Sequence, residues 1–159
     1  MSETNLIGDM SRLAIEESLR LMLGKRLGYG MSRSVYECRI NKSLVVKIEE
    51  GSRRFQNIME HEIWITLSGT KAARWLAPIV DISPCGIVLL MKRTTPMREK
   101  ELPAKVPVWL TDCKTSNFGI YEGRPVCHDY GTAGTVMLSR AVSKAMKNPN
   151  WDIENADAS

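Results

Sequence analysis

The stretch DCKTSNFGIYEGRPVCHDYG, residues 112–131, decides how this chain is read. Its centre is a hairpin by composition: FGIY and RPVC are short and apolar enough to pair, and Glu122-Gly123 between them reads as a two-residue turn. Three oxygen-bearing side chains stand at the ends of that hairpin, Asp112 and Asn117 before it and Asp129 after it. Each alone is accounted for as a turn or cap residue. Together they also suit a divalent cation and a phosphorylated group, because hard cations prefer oxygen ligands. The flanking sequence bears on the choice.

Towards the N-terminus, SRLAIEESLRLML (11–23) carries Leu13, Ile15, Leu19, Met22 and Leu23 close to helical spacing, with Ser11 as N-cap and Gly24 as stop. KRLGYGMSRSVYECRI and the β-branched SLVVKIEE then read as two or three antiparallel strands. SRRFQNIMEHEIWITLSG returns to helical spacing through Phe55, Ile58, Met59, Ile63 and Leu67, with Ser52 as cap and Gly69 as stop. WLAPIVDI and GIVLLM form a second hairpin around the turn SPCG. RTTPMREKELPAKVP, with three prolines and many charges, reads as a linker, and VPVWL as a short strand or extended entry to the opening stretch. Beyond Gly131, TVMLSRAVSKAMK is amphipathic, and a helix is expected over 133–147. The order predicts an α+β domain with an antiparallel sheet.

A chain of 159 residues suffices for one domain with a core, and 43% hydrophobic with 25% charged residues argues against wholesale disorder. No apolar run is long enough to span a bilayer, and MSETNLIGDMSR has neither the basic start nor the apolar stretch of a signal peptide, so a cytoplasmic protein with no membrane partner is expected. Cys38, Cys85, Cys113 and Cys127 form no C-x-x-C pair, and in a reducing compartment they read as core or loop residues rather than a zinc site. The net charge of +4 is mild and lacks a basic stripe, which disfavours nucleic acid as a partner. The tail WDIENADAS carries three acids and no base.

Three further features carry chemistry. Gly28 and Gly30 in LGYGMSRSVY permit either a plain hairpin turn or a close backbone approach to a ligand. Lys47 lies inside the apolar strand LVVKIE, where its charge must snorkel to solvent or find a partner. Glu62, beside Ile63 on the following helix, is the partner expected for it.

In this order the elements resemble those of protein kinases. LGYGMSRSVY resembles the glycine-rich loop through Gly28, Gly30 and Val35; VVKI is similar to the strand that supplies the ATP-anchoring lysine, Lys47; and HEIWITL resembles the helix of its glutamate partner, which selects Glu62 over Glu60. VLLM before Lys92-Arg93 resembles the strand leading to the hinge. TDCKTSN is similar to the catalytic loop D-x-K-x-x-N, through Asp112, Lys114 and Asn117, and HDYG to the D-F-G element, through Asp129, Tyr130 and Gly131. The resemblance covers about residues 25–131. It implies ATP and Mg²⁺ as cofactors, with Lys47 on the α/β-phosphates and Glu62 fixing Lys47. Asn117 and Asp129 would hold magnesium, Asp112 would act on the acceptor hydroxyl, and Lys114 would steady the γ-phosphate. Val35, Val46 and the Leu90–Met91 edge would sandwich adenine.

The departures are as specific. Arg33 replaces the third loop glycine and would reach phosphate or face solvent; Leu110 and Thr111 replace the histidine and arginine before the catalytic aspartate. Little sequence is left for the lobe that presents a peptide substrate. The resemblance therefore implies an N-lobe at 25–91 after a helix at 1–24, a linker at 92–107, a truncated C-lobe at 108–148 and an acidic tail at 149–159. Comparable reduction occurs in kinase-like proteins of bacterial viruses, which would place this one in a host cytoplasm. Two functions are expected: a minimal phosphotransferase acting on a protein or on itself, and a nucleotide-binding module without catalysis that docks on a target protein. The 133–147 helix is the candidate contact between two copies.

Overall fold

A computed structural model describes residues 12–30, 32–49, 55–131 and 145–151. The protein is mixed α/β, built around a five-stranded antiparallel sheet with few helices. It divides into two compact units: residues 1–61 with 78–93, and residues 62–77 with 94–159. The division runs through the second helix, and the first helix belongs with the sheet.

In the first unit, α1 (Arg12–Met22) leads directly into β1 (Leu23–Tyr29). β2 (Arg33–Cys38), β3 (Leu44–Glu49), β4 (Ile79–Ile82) and β5 (Val88–Lys92) complete a sheet ordered β1-β2-β3-β5-β4. Alternation along the strands sorts their side chains onto two faces. One face forms a core of Cys38, Leu44, Val46, Val88 and Leu90, closed by Met22 of α1 with Leu19 packed alongside. The other carries two cross-strand rows fixed by register, Val35–Lys47–Leu89 and Glu37–Val45–Met91. Val45, not Val46, therefore shares a face with Val35 and Lys47. Val46 and Leu90 belong to the opposite core, so they do not share the face of Val35 as the expected adenine-facing set required; Met91 lies on that face and is fully buried.

Helix α2 (Gln56–Leu67) is shorter than expected. Phe55, immediately before it, sits at φ 55°, and the expected Ser52 cap lies outside the described residues, as does Ser11 of α1. The first α2 amide, Gln56 N–H, donates instead to the Glu49 carboxylate at the end of β3. Asn57, Glu60, Ile63 and Leu67 are the buried residues of α2, the spacing of one helical face.

In the second unit, a 3-10 helix at Lys71–Trp75 takes the start of the expected WLAPIVDI strand. Thr70 caps it by accepting the Ala72 N–H. β7 (Phe118–Tyr121) and β8 (Arg124–Cys127) form the hairpin read from the sequence, turning at Glu122-Gly123, both with positive φ. Ala77 N–H donates to the Cys127 carbonyl at 2.8 Å, and Thr95 and Ile120 exchange amide bonds of 3.0 and 2.8 Å. The backbone at Gly119 lies so near this segment that a Cβ would stand 2.5 Å from Thr94 Oγ1. Only glycine fits there.

β6 (Val106–Pro107) pairs with β9 (Met146–Lys147), so the expected helix does not reach 147. The rest of that helix, and the tail from 152, lie outside the described residues. Among the described residues, no helix is long and apolar enough to cross a membrane.

Candidate functional site

Lys47 sits mid-strand on β3 with apolar neighbours on both sides, and its residue is only 3% exposed. A buried ammonium must be paired, and the carboxylate it meets is Glu60. Lys47 Nζ donates to Glu60 Oε1 at 3.1 Å and to Oε2 at 2.9 Å. Glu62, the expected partner, is exposed on α2. Helical periodicity is the reason: at about 100° per residue, position 60 lies three before Ile63 and shares its face, whereas position 62 turns away. Lys47 thus pairs with Glu60, and the assignment of that role to Glu62 is corrected.

A second cation converges on the same carboxylate. Arg33, at the start of β2, neither faces solvent nor projects from the loop; it is 6% exposed. Its NH2 donates to Glu60 Oε1 at 3.0 Å, and its NH1 lies 2.9 Å from Oε2, a fork on both oxygens. NH1 also donates to Asn57 Oδ1 at 3.3 Å. The Asn57 amide in turn donates to the carbonyls of Gly86 at 3.1 Å and Ile87 at 2.8 Å, so α2 is tied to the β4–β5 turn as well as to β3. Burial by itself would push the Glu60 carboxyl up. The Lys47 ammonium and the Arg33 guanidinium reverse this, and hold it at about 2 against an ordinary 4.5. Glu60 is therefore ionised throughout the physiological range.

Gly28 lies within β1, opposite Val35, and Gly30 closes the β1–β2 turn by donating its N–H to the Arg33 carbonyl at 2.7 Å. Neither has a left-handed φ. A Cβ at Gly28 would meet nothing within 4 Å, and one at Gly30 only the Arg33 carbonyl at 4.0 Å. Neither the local backbone nor packing among the described residues requires glycine at these positions.

In the second unit, Asp112 and Lys114 lie half-buried in an extended segment that follows the buried Trp109-Leu110 pair. Lys114 precedes a 3-10 turn, Thr115–Asn117, which delivers Asn117 to the start of β7. The His128 N–H donates to the Asn117 carbonyl at 2.8 Å, so the two ends of the hairpin meet and bring Asn117 beside the His128-Asp129 segment. His128 strengthens this closure through its ring: Nε2 lies 2.8 Å from the Ser116 carbonyl and Nδ1 2.8 Å from Thr94 Oγ1. Because a carbonyl only accepts, Nε2 carries the proton. Tyr130 is buried and donates its hydroxyl to the Ala77 carbonyl at 3.0 Å. Burial pushes the thiol of Cys113, between Asp112 and Lys114 in sequence, up, which keeps it protonated and unsuited to nucleophilic work.

Asn117 and Asp129 offer the hard oxygen donors that Mg²⁺ takes, and a ligand set of one or two carboxylates completed by water and phosphate is usual for that ion. Among the described residues, no three His, Cys, Asp or Glu side chains cluster as a self-sufficient metal site.

Asn57 and His128 are residues that sequence reasoning missed, and Arg33 meets the Glu60 carboxylate rather than the phosphate or solvent expected for it. The 57–60–63–67 spacing was a signal for Asn57 and Glu60, but Arg33 had none, since a strand arginine ordinarily faces solvent. Comparison with known proteins finds no matching family model and no matching curated protein.

Proposed function

We propose that the chain is a reduced, protein kinase-like phosphotransferase that moves the γ-phosphoryl group of ATP to a hydroxyl of a protein substrate, its own chain included. The observation that carries this reading is the buried Lys47–Glu60 pair on the sheet face that also bears Val35, Val45 and Met91, with Gly28 opposite Val35 in β1 and Gly30 at the adjoining turn. Phosphoryl transfer needs little covalent help from protein; it needs positioning and the neutralisation of negative charge. In this reading Lys47 binds the α/β-phosphates while Glu60 sets its position, and half-buried Val35, opposite Lys47 in register, offers an apolar contact for the base. Asn117 and Asp129 hold Mg²⁺, which when bound neutralises phosphate charge. Asp112 orients the acceptor hydroxyl and takes its proton, and Lys114 steadies the phosphoryl oxygens.

The test is incubation with labelled ATP and Mg²⁺ beside Asp112→Ala and Asp129→Asn. Incorporation into protein that is lost in both variants is the expected result; label that survives both refutes catalysis. A second reading, a nucleotide-binding interaction module without transfer, is favoured by one observation: Lys47 is already satisfied within the chain. Under that reading ATP–Mg²⁺ at about a hundred times Kd still stabilises the protein by about 2.7 kcal/mol, with no label incorporated.

A further inference from the structure

Glu60 is held by two cations, and they are not equivalent. The Arg33 guanidinium contacts both carboxylate oxygens with separate nitrogens, at 3.0 and 2.9 Å, while Lys47 reaches the same two oxygens from a single Nζ. Arg33 is further fixed by Asn57, which is anchored on two carbonyls of the β4–β5 turn. Glu49, the other buried carboxylate on this face, lies opposite Arg33 in register and accepts the Gln56 amide. A buried carboxylate stripped of its cation is strongly unfavourable. With Lys47 as its sole partner, Glu60 would hold the ammonium in place; with the Arg33 fork present, Glu60 stays paired when Lys47 turns elsewhere.

From this we infer that Arg33 is a positioning residue that releases Lys47 to bind a phosphate. It keeps the buried carboxylate paired, so that the ammonium is shared with the ligand at small cost. The inference rests on the nucleotide-binding reading of Lys47. Arg33 occupies the position where the loop's third glycine was expected, and in this role it acts through Glu60 and not by touching phosphate itself.

The experiment measures the Kd of ADP with Mg²⁺ by calorimetry on the full chain and three variants. Arg33→Met leaves Lys47 as the one cation among the described residues on Glu60 and is expected to weaken binding about tenfold. Glu60→Gln removes the carboxylate that both positions and restrains Lys47 and is expected to weaken binding about threefold, less than Arg33→Met does. Arg33→Met/Glu60→Gln is then expected to bind like Glu60→Gln alone, because no buried carboxylate is left to hold Lys47. Arg33→Met binding as tightly as the wild type overturns the inference, and so does a double variant as weak as Arg33→Met. If Arg33→Met does not fold, Arg33→Lys keeps the charge without the fork and should weaken binding about threefold; no change overturns the inference. A ligand-independent comparison separates this from the functional reading. Arg33→Met must lower the melting temperature more than Lys47→Met does, and the reverse order overturns the inference. A wild-type chain that binds no nucleotide while keeping the expected order overturns the nucleotide-binding reading instead.

Discussion

Glutamine at position 60 preserves the shape of the side chain and removes the charge, leaving the Arg33 guanidinium and the Lys47 ammonium close together and buried. Two routes give the size of the effect. Removing one partner of a buried ion pair costs about 3–5 kcal/mol. Separately, a carboxyl held at about 2 rather than 4.5 contributes about 3 kcal/mol at neutral pH. Against a total stability of about 5–15 kcal/mol, that is a large share. At about 2–4 °C per kcal/mol, the melting temperature should fall by roughly 6–20 °C. Glu62→Gln, two residues along the same helix but exposed, should change stability by no more than about 0.5 kcal/mol. The choice of probe matters, because Trp64, Trp75, Trp109 and Trp151 are all the tryptophans of the chain and all lie in the second unit. Amide hydrogen exchange on β3 and β5 reports the unit that holds Glu60. The pH dependence adds a signed test. Since the Glu60 carboxyl is depressed, its contribution is complete above about 4.5 and lost as pH falls towards about 2. The wild type should therefore lose its advantage over Glu60→Gln across that window. Equal stabilities for the Glu60 and Glu62 variants, or parallel pH profiles for the wild type and Glu60→Gln, would refute the assignment.

Other substitutions probe other contacts. Tyr130→Phe deletes the donor to the Ala77 carbonyl and should cost about 1–3 kcal/mol, read as a lower urea midpoint in tryptophan fluorescence; an unchanged midpoint contradicts a buried bond there. Gly119→Ala places a methyl 2.5 Å from Thr94 Oγ1 and 2.8 Å from the Thr95 carbonyl, and should destabilise the same unit by about 1–3 kcal/mol. Gly28→Ala meets nothing within 4 Å, so its melting temperature should match that of the wild type. Its affinity for ATP–Mg²⁺ should nonetheless drop, and unchanged affinity removes the ligand role of that glycine.

The strands were legible because their signals are local. Val45, Val46 and Ile48 announce a buried β-strand by composition, and Glu122-Gly123 announces its own turn. What escaped was the partner of each buried charge. Lys47 was recognised as needing an acid, but choosing between Glu60 and Glu62 depends on the phase of α2, and sequence adjacency to Ile63 gave the wrong phase. The face of Val46 was misread for the related reason that one residue of strand register exchanges the two sides of a sheet. Arg33 was invisible in a stronger sense: nothing in RSVYEC says that its guanidinium travels inward to a carboxylate on a helix 27 residues later. The end of the last expected helix was lost to a two-residue pairing between Val106–Pro107 and Met146–Lys147, a long-range contact without a local signature.

Asn57 has a consequence for how this chain tolerates change in length. Its amide spans from α2 to the carbonyls of Gly86 and Ile87, and a Cβ at Gly86 would lie 2.5 Å from Ile58. The β4–β5 turn is therefore gauged against the helix residue by residue, and an inserted residue there would displace the acceptors that keep Asn57, and through it Arg33, in place. The Glu122-Gly123 turn is the opposite case, exposed and with open space around Gly123. An epitope or a fluorescent label grafted into this protein belongs at that second turn, and natural variants that differ in length should differ there before they differ at the first.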